Sequence, residues 1–181
     1  LSGCAPLTGA ATSGFADSLG GAILNEDEPG LVREGMPAYL ILLDALVRGN
    51  PENARYLGAA AQLNAAYGLA FTAEPDRARV LGSRARDFGA RALCAADRHA
   101  CGMGDLQYDE FAATVDRLRP ASADALYAFC VGSLAYLRSH GDDWAAIADL
   151  PKVQHALERL LAWPGTANEG SVNLYLGILN T

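Results

Sequence analysis

The 181-residue sequence predicts an all-α protein made of stacked helical hairpins, either a tetratricopeptide-like solenoid or a bundle. Its composition, 51% hydrophobic and only 19% charged with alanine and leucine recurring throughout, is typical of packed helices and not of a disordered chain. Apolar and small residues recur at helical spacing, and prolines and glycines separate these segments. A credible strand pattern is missing, which leaves helices as the building blocks.

The N-terminal residues predict a lipid anchor and a tether. Residues 1–4 read Leu-Ser-Gly-Cys, which resembles the lipobox at which a bacterial lipoprotein precursor is cut before its cysteine. The Cys4 thiol is the group that would receive the diacylglyceryl moiety. Residues 5–21 are rich in Gly, Ser, Thr and Ala, as flexible tethers are. We therefore expect a lipobox remnant and tether over residues 1–24 and a helical domain over 25–181.

The first half of that domain contains three predicted helices. The polar cluster that ends at Pro29 indicates a helix-capping turn, because it lacks the alternating ligands and terminal glutamate of a calcium loop. The run Pro37–Val47 is apolar on nearly every face, which predicts a helix buried on most sides with the proline in its first turn. The second helix is expected from about residue 52 to 72, and its many alanines imply close helix contact. The third should run from Pro75 to about residue 95.

The third predicted helix carries five arginines beside an apolar stripe. This arrangement favours a solvated polar face over an anion site. The arginines are Arg77, Arg79, Arg84, Arg86 and Arg91.

The second half repeats the theme. A short helix should begin at Asp109 and end at Pro120. The next helix should begin at Ser122, with Ser122 as its N-cap, and end at His140-Gly141. Another predicted helix, over residues 144–163, is interrupted near Pro151. Two stretches, residues 57–93 and 126–160, each span about the 34 residues of one tetratricopeptide unit. Stacked hairpins of this kind present a concave face to ligands or partner segments.

The charge and the histidines exclude several classes of function. A formal net charge of −7 disfavours nucleic acid and anionic lipid surfaces as partners. The three histidines occur in no metal-ligand or catalytic pattern; His140 is expected at a helix C-terminus and His155 on a helix surface. The sequence therefore predicts neither an enzyme nor a cofactor.

The cysteines allow two interpretations. Cys94 and Cys101 could join His99 and Asp97 in a zinc cluster, but the two short cysteine pairs or matched histidines of structural zinc sites are missing. In an exported protein, a disulfide between Cys94 and Cys101 is the simpler account. Cys130, within an apolar helix, is expected to be a small buried hydrophobe.

Aromatic residues of the predicted helices are the candidates for a ligand cavity, although helical spacing alone does not distinguish a cavity wall from the core. The candidates are Tyr39, Tyr67, Phe71, Tyr127, Phe129 and Tyr175.

Four ordered motifs carry a family resemblance. They are Leu31-Val-Arg-Glu-Gly-Met-Pro-Ala-Tyr-Leu-Ile-Leu-Leu-Asp-Ala-Leu46, Ala60-Ala-Gln-Leu-Asn-Ala-Ala-Tyr67, Asp143-Trp144 with Ala148-Asp-Leu-Pro-Lys-Val153, and Gly170-Ser-Val-Asn-Leu-Tyr-Leu-Gly177. Together they resemble the TatT family, the tetratricopeptide-like lipoproteins associated with tripartite ATP-independent periplasmic (TRAP) transporters. The resemblance covers nearly all of the chain after the tether.

The resemblance implies a periplasmic, lipid-anchored homotrimer with a hydrophobic cavity or pore that partners the solute-binding protein of the transporter. It implies transport of a hydrophobic organic solute and no catalysis. Family members usually have His where this chain has Asn173, and they continue past Thr181 through a further helical region, which we expect to be missing here. An alternative function is a lipid-anchored protein-interaction scaffold without a small-molecule site; a periplasmic hydrolase is a third.

Overall fold

The computed structural model describes residues 26–165 and 168–179, and within these residues it is all-helical. Cys4 and the expected tether over residues 1–24 lie outside the described residues. The eight α-helices are α1 (Pro29–Gly49), α2 (Ala54–Ala70), α3 (Pro75–Ala96), α4 (Tyr108–Arg117), α5 (Ala123–Ser139), α6 (Trp144–Ile147), α7 (Leu150–Leu161) and α8 (Glu169–Leu179). Three single turns of 3-10 helix, Arg98–Ala100, Met103–Asp105 and Pro120–Ser122, connect them.

Helix α1 differs from its prediction. It begins at Pro29, because the Glu28 carboxylate accepts hydrogen bonds from the backbone N–H groups of Gly30 and Leu31 at 3.0 and 2.6 Å and so caps the first turn. Pro37 therefore lies inside the helix and not in its first turn.

The expectation that the run Pro37–Val47 is buried on most sides is also wrong. One face of α1 is buried, whereas Ile41 is 70% exposed and Leu42 36% exposed on the other. The buried side chains are those of Met36, Leu40, Leu43 and Val47. Since α2 is the principal neighbour of α1, a single partner helix covers a single face.

Helices α2 and α3 confirm the predicted hairpin. Asn53 caps α2 by accepting from the backbone N–H groups of Arg55 and Tyr56, and Pro75 opens α3. Helix α3 packs extensively on both α2 and α5. Its Leu81 and Phe88 belong to a core shared with α1 and α2, whereas Leu93 belongs to a second core shared with α4, α5, α7 and α8.

Helices α3 and α5 approach each other to backbone contact. A Cβ atom at Gly89 would lie 2.7 Å from the carbonyl oxygen of Ala128, and one at Gly132 would overlap the backbone of Ala85. Side chains cannot fit between the two backbones at these points. Helix α2, whose alanines predict close helix contact, packs extensively on α3, and glycines provide the backbone contact between α3 and α5.

The second half agrees with its prediction except at one cap and at α8, a helix whose bounds the sequence analysis does not predict. Ser122 precedes α5, but its side chain makes no capping hydrogen bond, because residues 120–122 form a 3-10 turn that leads into the helix. The predicted interruption near Pro151 is confirmed: α6 ends at Ile147 and α7 begins at Leu150. Helix α7 packs on α5 and α8. The helices thus form a packed bundle, one of the two arrangements that the sequence predicts.

Candidate functional site

A groove lies between α3, the connection after it and α5. Its walls come from Ser83, Arg86, Asp87 and Ala90 of α3, from residues 100–105 of the connection, and from Phe129 and Tyr136 of α5. Its volume is about 300 Å³. We call it the loop groove. A void of about 10 Å³ adjoins it and is also lined by Phe129 and by Phe111, whose ring centroids are 6.0 Å apart.

A charged cluster lies in the lining of the adjoining void and includes Arg86, which the void shares with the loop groove. Asp149, at the start of α7, accepts from Arg86 Nη2 at 3.1 Å and from Lys152 Nζ at 2.8 Å. Lys152 also donates to the carbonyl oxygen of Gly104 at 3.3 Å. The cluster therefore has two cations for one carboxylate, and Arg86 is its member in the wall of the loop groove.

Aromatic and acidic groups complete the surroundings of this cluster. The Arg86 guanidinium lies 4.5 Å from the centroid of the Tyr136 ring, in cation–π geometry. Asp87 is neutralised by Arg91 at 3.2 Å, and Asp105 is an exposed carboxylate at the rim. The groove thus combines the Phe129 and Tyr136 rings with an adjoining cluster of two cations and one carboxylate, which suits an amphipathic anion better than a wholly apolar molecule.

The local sequence builds the connection that forms one groove wall. Asp97 ends α3 and accepts from the backbone N–H of His99 at 3.0 Å, a hydrogen bond that holds the pKa of this carboxyl below its usual range. Gly102 adopts a left-handed conformation (φ 75°), which glycine adopts without a steric penalty. The Cys94–Cys101 disulfide ties the connection to the last turn of α3. The predicted disulfide is therefore present.

We expect the double variant Cys94→Ser/Cys101→Ser to lower the free energy of unfolding by about 2 to 3 kcal/mol, because the bridge closes a short loop in the unfolded chain. Urea unfolding in the presence and absence of a reductant measures the effect. Reductant should bring the wild type to the stability of the double variant and leave the double variant unchanged. Equal stability of both proteins under oxidising conditions would contradict this prediction.

The six aromatic candidates lie in several places, and the described residues do not gather them around one cavity. Phe129 lines the loop groove. Tyr67 is buried in the α1–α3 core and lies 6.1 Å from half-buried Phe71, between ring centroids. Tyr39 is half-buried on α1. Tyr127 and Tyr175 pair with each other in the second core.

The Tyr127–Tyr175 pair gives a pH prediction. Burial, the neighbouring Tyr127 and a hydrogen bond to it raise the pKa of Tyr175 from 10.0 to about 12. The folded state therefore favours the protonated phenol, so this contribution to stability is complete below pH 10 and is lost as the pH rises from 10 to about 12. Over that interval, the free energy of unfolding should fall more steeply for the wild type than for Tyr175→Phe. Parallel curves for the two proteins would contradict the assignment.

The histidines are structural in their contacts. His140 ends α5 as predicted, where its Nδ1 and the Ser139 hydroxyl both lie 3.0 Å from the carbonyl oxygen of Tyr136. Ser139 and His140 are also 3.0 Å apart, but their shared carbonyl acceptor makes them a helix C-terminal cap and not a nucleophile–base pair. His155 contacts Asp116 at 3.0 Å on the surface.

Other predictions concern Cys130 and the classes of site. Cys130 is free and fully buried, as expected, and burial raises the pKa of its thiol well above the usual range. Among the described residues, no group of His, Cys, Asp and Glu side chains has the arrangement of a metal site. The helices within 26–165 and 168–179 include none that is long and apolar enough to cross a membrane.

Sequence reasoning missed the polar residues of the loop groove. It assigned Arg86 to a solvated stripe, whereas Arg86 and Arg84 are half-buried and paired with Asp149 and Asp44. Arg79 pairs with Asp142. Arg77 and Arg79 are exposed, as a solvated stripe requires. The prediction is wrong for Arg84 and Arg86, because carboxylates from distant parts of the chain pair with them. The Asp149–Lys152 spacing of three residues beside a proline was the available signal in the sequence.

Comparisons with known proteins agree with the resemblance read from the motifs. A family model described as the TRAP transporter T-component matches residues 25–181. No curated protein and no solved structure matches the chain.

Proposed function

The chain belongs to the TRAP transporter T-component family, TatT, which implies a role as an accessory to such a transporter, and from this premise we propose that it handles a hydrophobic organic solute with the transporter's periplasmic solute-binding protein. The solute occupies the loop groove. Cys4 carries the lipid anchor, and residues 25–181 form the solute-handling domain. The protein acts without catalysis or a cofactor.

The observation that supports solute handling is the make-up of the loop groove. Phe129 and Tyr136 offer aromatic walls, and Arg86 in the same wall and Lys152 in the adjoining void supply two cations for the one carboxylate of Asp149. A fatty acid or a related apolar anion satisfies both features, because its chain contacts the rings and its carboxylate approaches the two cations. The groove opens on the surface, so that a solute can be exchanged with a second protein.

The proposed homotrimer and the solute-binding protein both require contact surface. Exposed apolar side chains supply it at the outer face of α1, where Ile41 is 70% exposed, and at the outer face of α8, where Leu174 and Ile178 are 62% and 61% exposed. Trp144 of α6 is 84% exposed. Aromatic and aliphatic anchors of this kind are typical of interface centres.

These exposed faces also favour the second candidate function, a lipid-anchored interaction scaffold without a small-molecule site. A stack of helical hairpins presents such faces to partner proteins whether or not it holds a solute. Measurements of solute binding distinguish the two functions.

The test is a thermal-shift titration with decanoate as the probe. At about a hundred times its dissociation constant, decanoate should stabilise the wild type by roughly 2.7 kcal/mol. Ala90→Glu places a carboxylate in the groove wall and should abolish the shift, because like charges repel and the groove is partly filled.

The matched control is Ala96→Glu, which adds the same charge at an exposed position at the end of α3 and should keep the wild-type shift. Circular dichroism verifies that both variants are folded. If decanoate and longer fatty acids stabilise neither the wild type nor the control, while the transporter's solute-binding protein still binds the chain, the scaffold function is correct and solute handling is wrong.

A further inference from the structure

A second pocket lies on another side of α3, between α2, the start of α3 and the end of α5. Its volume is about 350 Å³, and it shares no lining residue with the loop groove. Small residues make most of its walls, so the space between the helices is not filled by side chains. The lining residues are Asn64, Ala65, Gly68, Leu69, Thr72, Ala78, Ala135, Arg138 and Ser139.

Asn64 lines this pocket and has an unused hydrogen-bond acceptor. The residue is 1% exposed, and its Nδ2 donates to the carbonyl oxygen of Ala60 at 2.8 Å. Its Oδ1 is buried and has no partner among the described residues. An amide oxygen removed from water without a donor is unfavourable, whereas leucine at the same position would avoid that cost. The position thus suits an N–H or O–H donor supplied from outside the chain.

Arg138 provides a cationic hydrogen-bond donor in the same pocket. Its side chain is exposed, and within the described residues no carboxylate forms an ion pair with it. Five other arginines of this acidic chain do pair with a carboxylate. A free guanidinium repels a simple amine and attracts a carboxylate.

We propose that this second pocket, here called the Asn64 pocket, binds a small organic acid that also carries an amino or hydroxyl group. The donor of the ligand hydrogen-bonds to Asn64 Oδ1, and its carboxylate approaches Arg138. A simple fatty acid leaves Asn64 unpaired, and a simple amine is repelled by Arg138. This site is independent of the proposed solute groove.

Matched pairs of acids test the proposal by amide NMR titration of the isotope-labelled full chain. Valine differs from isovalerate by its amino group, and lactate differs from propionate by its hydroxyl group. Valine and lactate should shift the signals of Ala65, Gly68 and Ala135. They should also bind about tenfold more tightly than isovalerate and propionate, because each makes one additional hydrogen bond to a buried acceptor.

Variants assign the two contacts. Asn64→Leu should remove the preference for valine over isovalerate, and Arg138→Gln should weaken binding of all four acids because each has a carboxylate. Asn64→Ala removes the same oxygen and is used instead if Asn64→Leu does not fold.

Asn173→Leu is the matched control, because Asn173 makes the same bond to the carbonyl four residues earlier, at 3.0 Å to Glu169, on an exposed surface. It should behave as the wild type, and so should Ala90→Glu in the loop groove. The proposal is overturned if valine and lactate shift none of the pocket signals, if isovalerate binds as tightly as valine, or if Asn64→Leu and Asn64→Ala keep the preference.

Discussion

Gly132→Ala should destabilise the fold by about 1 to 3 kcal/mol, and Gly132→Val by about 3 kcal/mol or more. A Cβ at this position overlaps the carbonyl oxygen of Ala85, so that α3 and α5 must move apart. These two helices have the most extensive contact of any helix pair in the described residues. In an isolated helix, Gly→Ala would stabilise the helix by up to about 1 kcal/mol. A lower free energy of unfolding for Gly132→Ala therefore shows that the steric overlap between the helices outweighs helix propensity. Urea unfolding followed by circular dichroism measures it.

Gly177→Ala is the matched control. It lies in α8 with nothing within 4 Å of the added Cβ, and it should raise the free energy of unfolding by up to about 1 kcal/mol. If both glycine variants were stabilised alike, the close approach of α3 and α5 would be wrong.

Cys4→Ser should release the protein from membranes when the precursor is expressed in a Gram-negative host. Acyl chains on this cysteine are the proposed anchor, and two or more chains hold a protein at a bilayer far more firmly than one. We expect the wild type in the membrane fraction and Cys4→Ser in the soluble periplasmic fraction. Fractionation followed by mass spectrometry of the N-terminal peptide measures both location and acylation.

The Cys94→Ser/Cys101→Ser variant serves as the control, because it also replaces cysteine by serine and should stay in the membrane fraction with an acylated N-terminus. A wild type that is soluble and unacylated, or a Cys4→Ser variant that remains at the membrane, would contradict the anchor.

The sequence was sufficient where local chemistry decides the structure. Pro75 opens a helix and His140 ends one, because a proline suits the first turn and a polar ring can bond the last carbonyls. The disulfide followed from two cysteines that flank a short loop. The family followed from four motifs distributed over residues 31–177, and the match to residues 25–181 confirms it.

The rest depends on contacts between distant parts of the chain. Arg86 meets Asp149 across 63 residues, and helical spacing in α3 gives no sign of that carboxylate. The exposed side of α1 was missed for a related reason: an apolar run does not reveal how many neighbours cover it. Likewise, a glycine in a helix does not reveal which backbone approaches it, so the contact at Gly132 required coordinates.

Solute handling in the loop groove is the central claim, and native mass spectrometry of the lipid-anchored protein extracted from membranes tests it most directly. The account predicts a trimer that retains an apolar acid, and a loss of that added mass in Ala90→Glu but not in Ala96→Glu. A wild-type protein that carries no ligand mass after extraction, and gains none when decanoate is added, would contradict it.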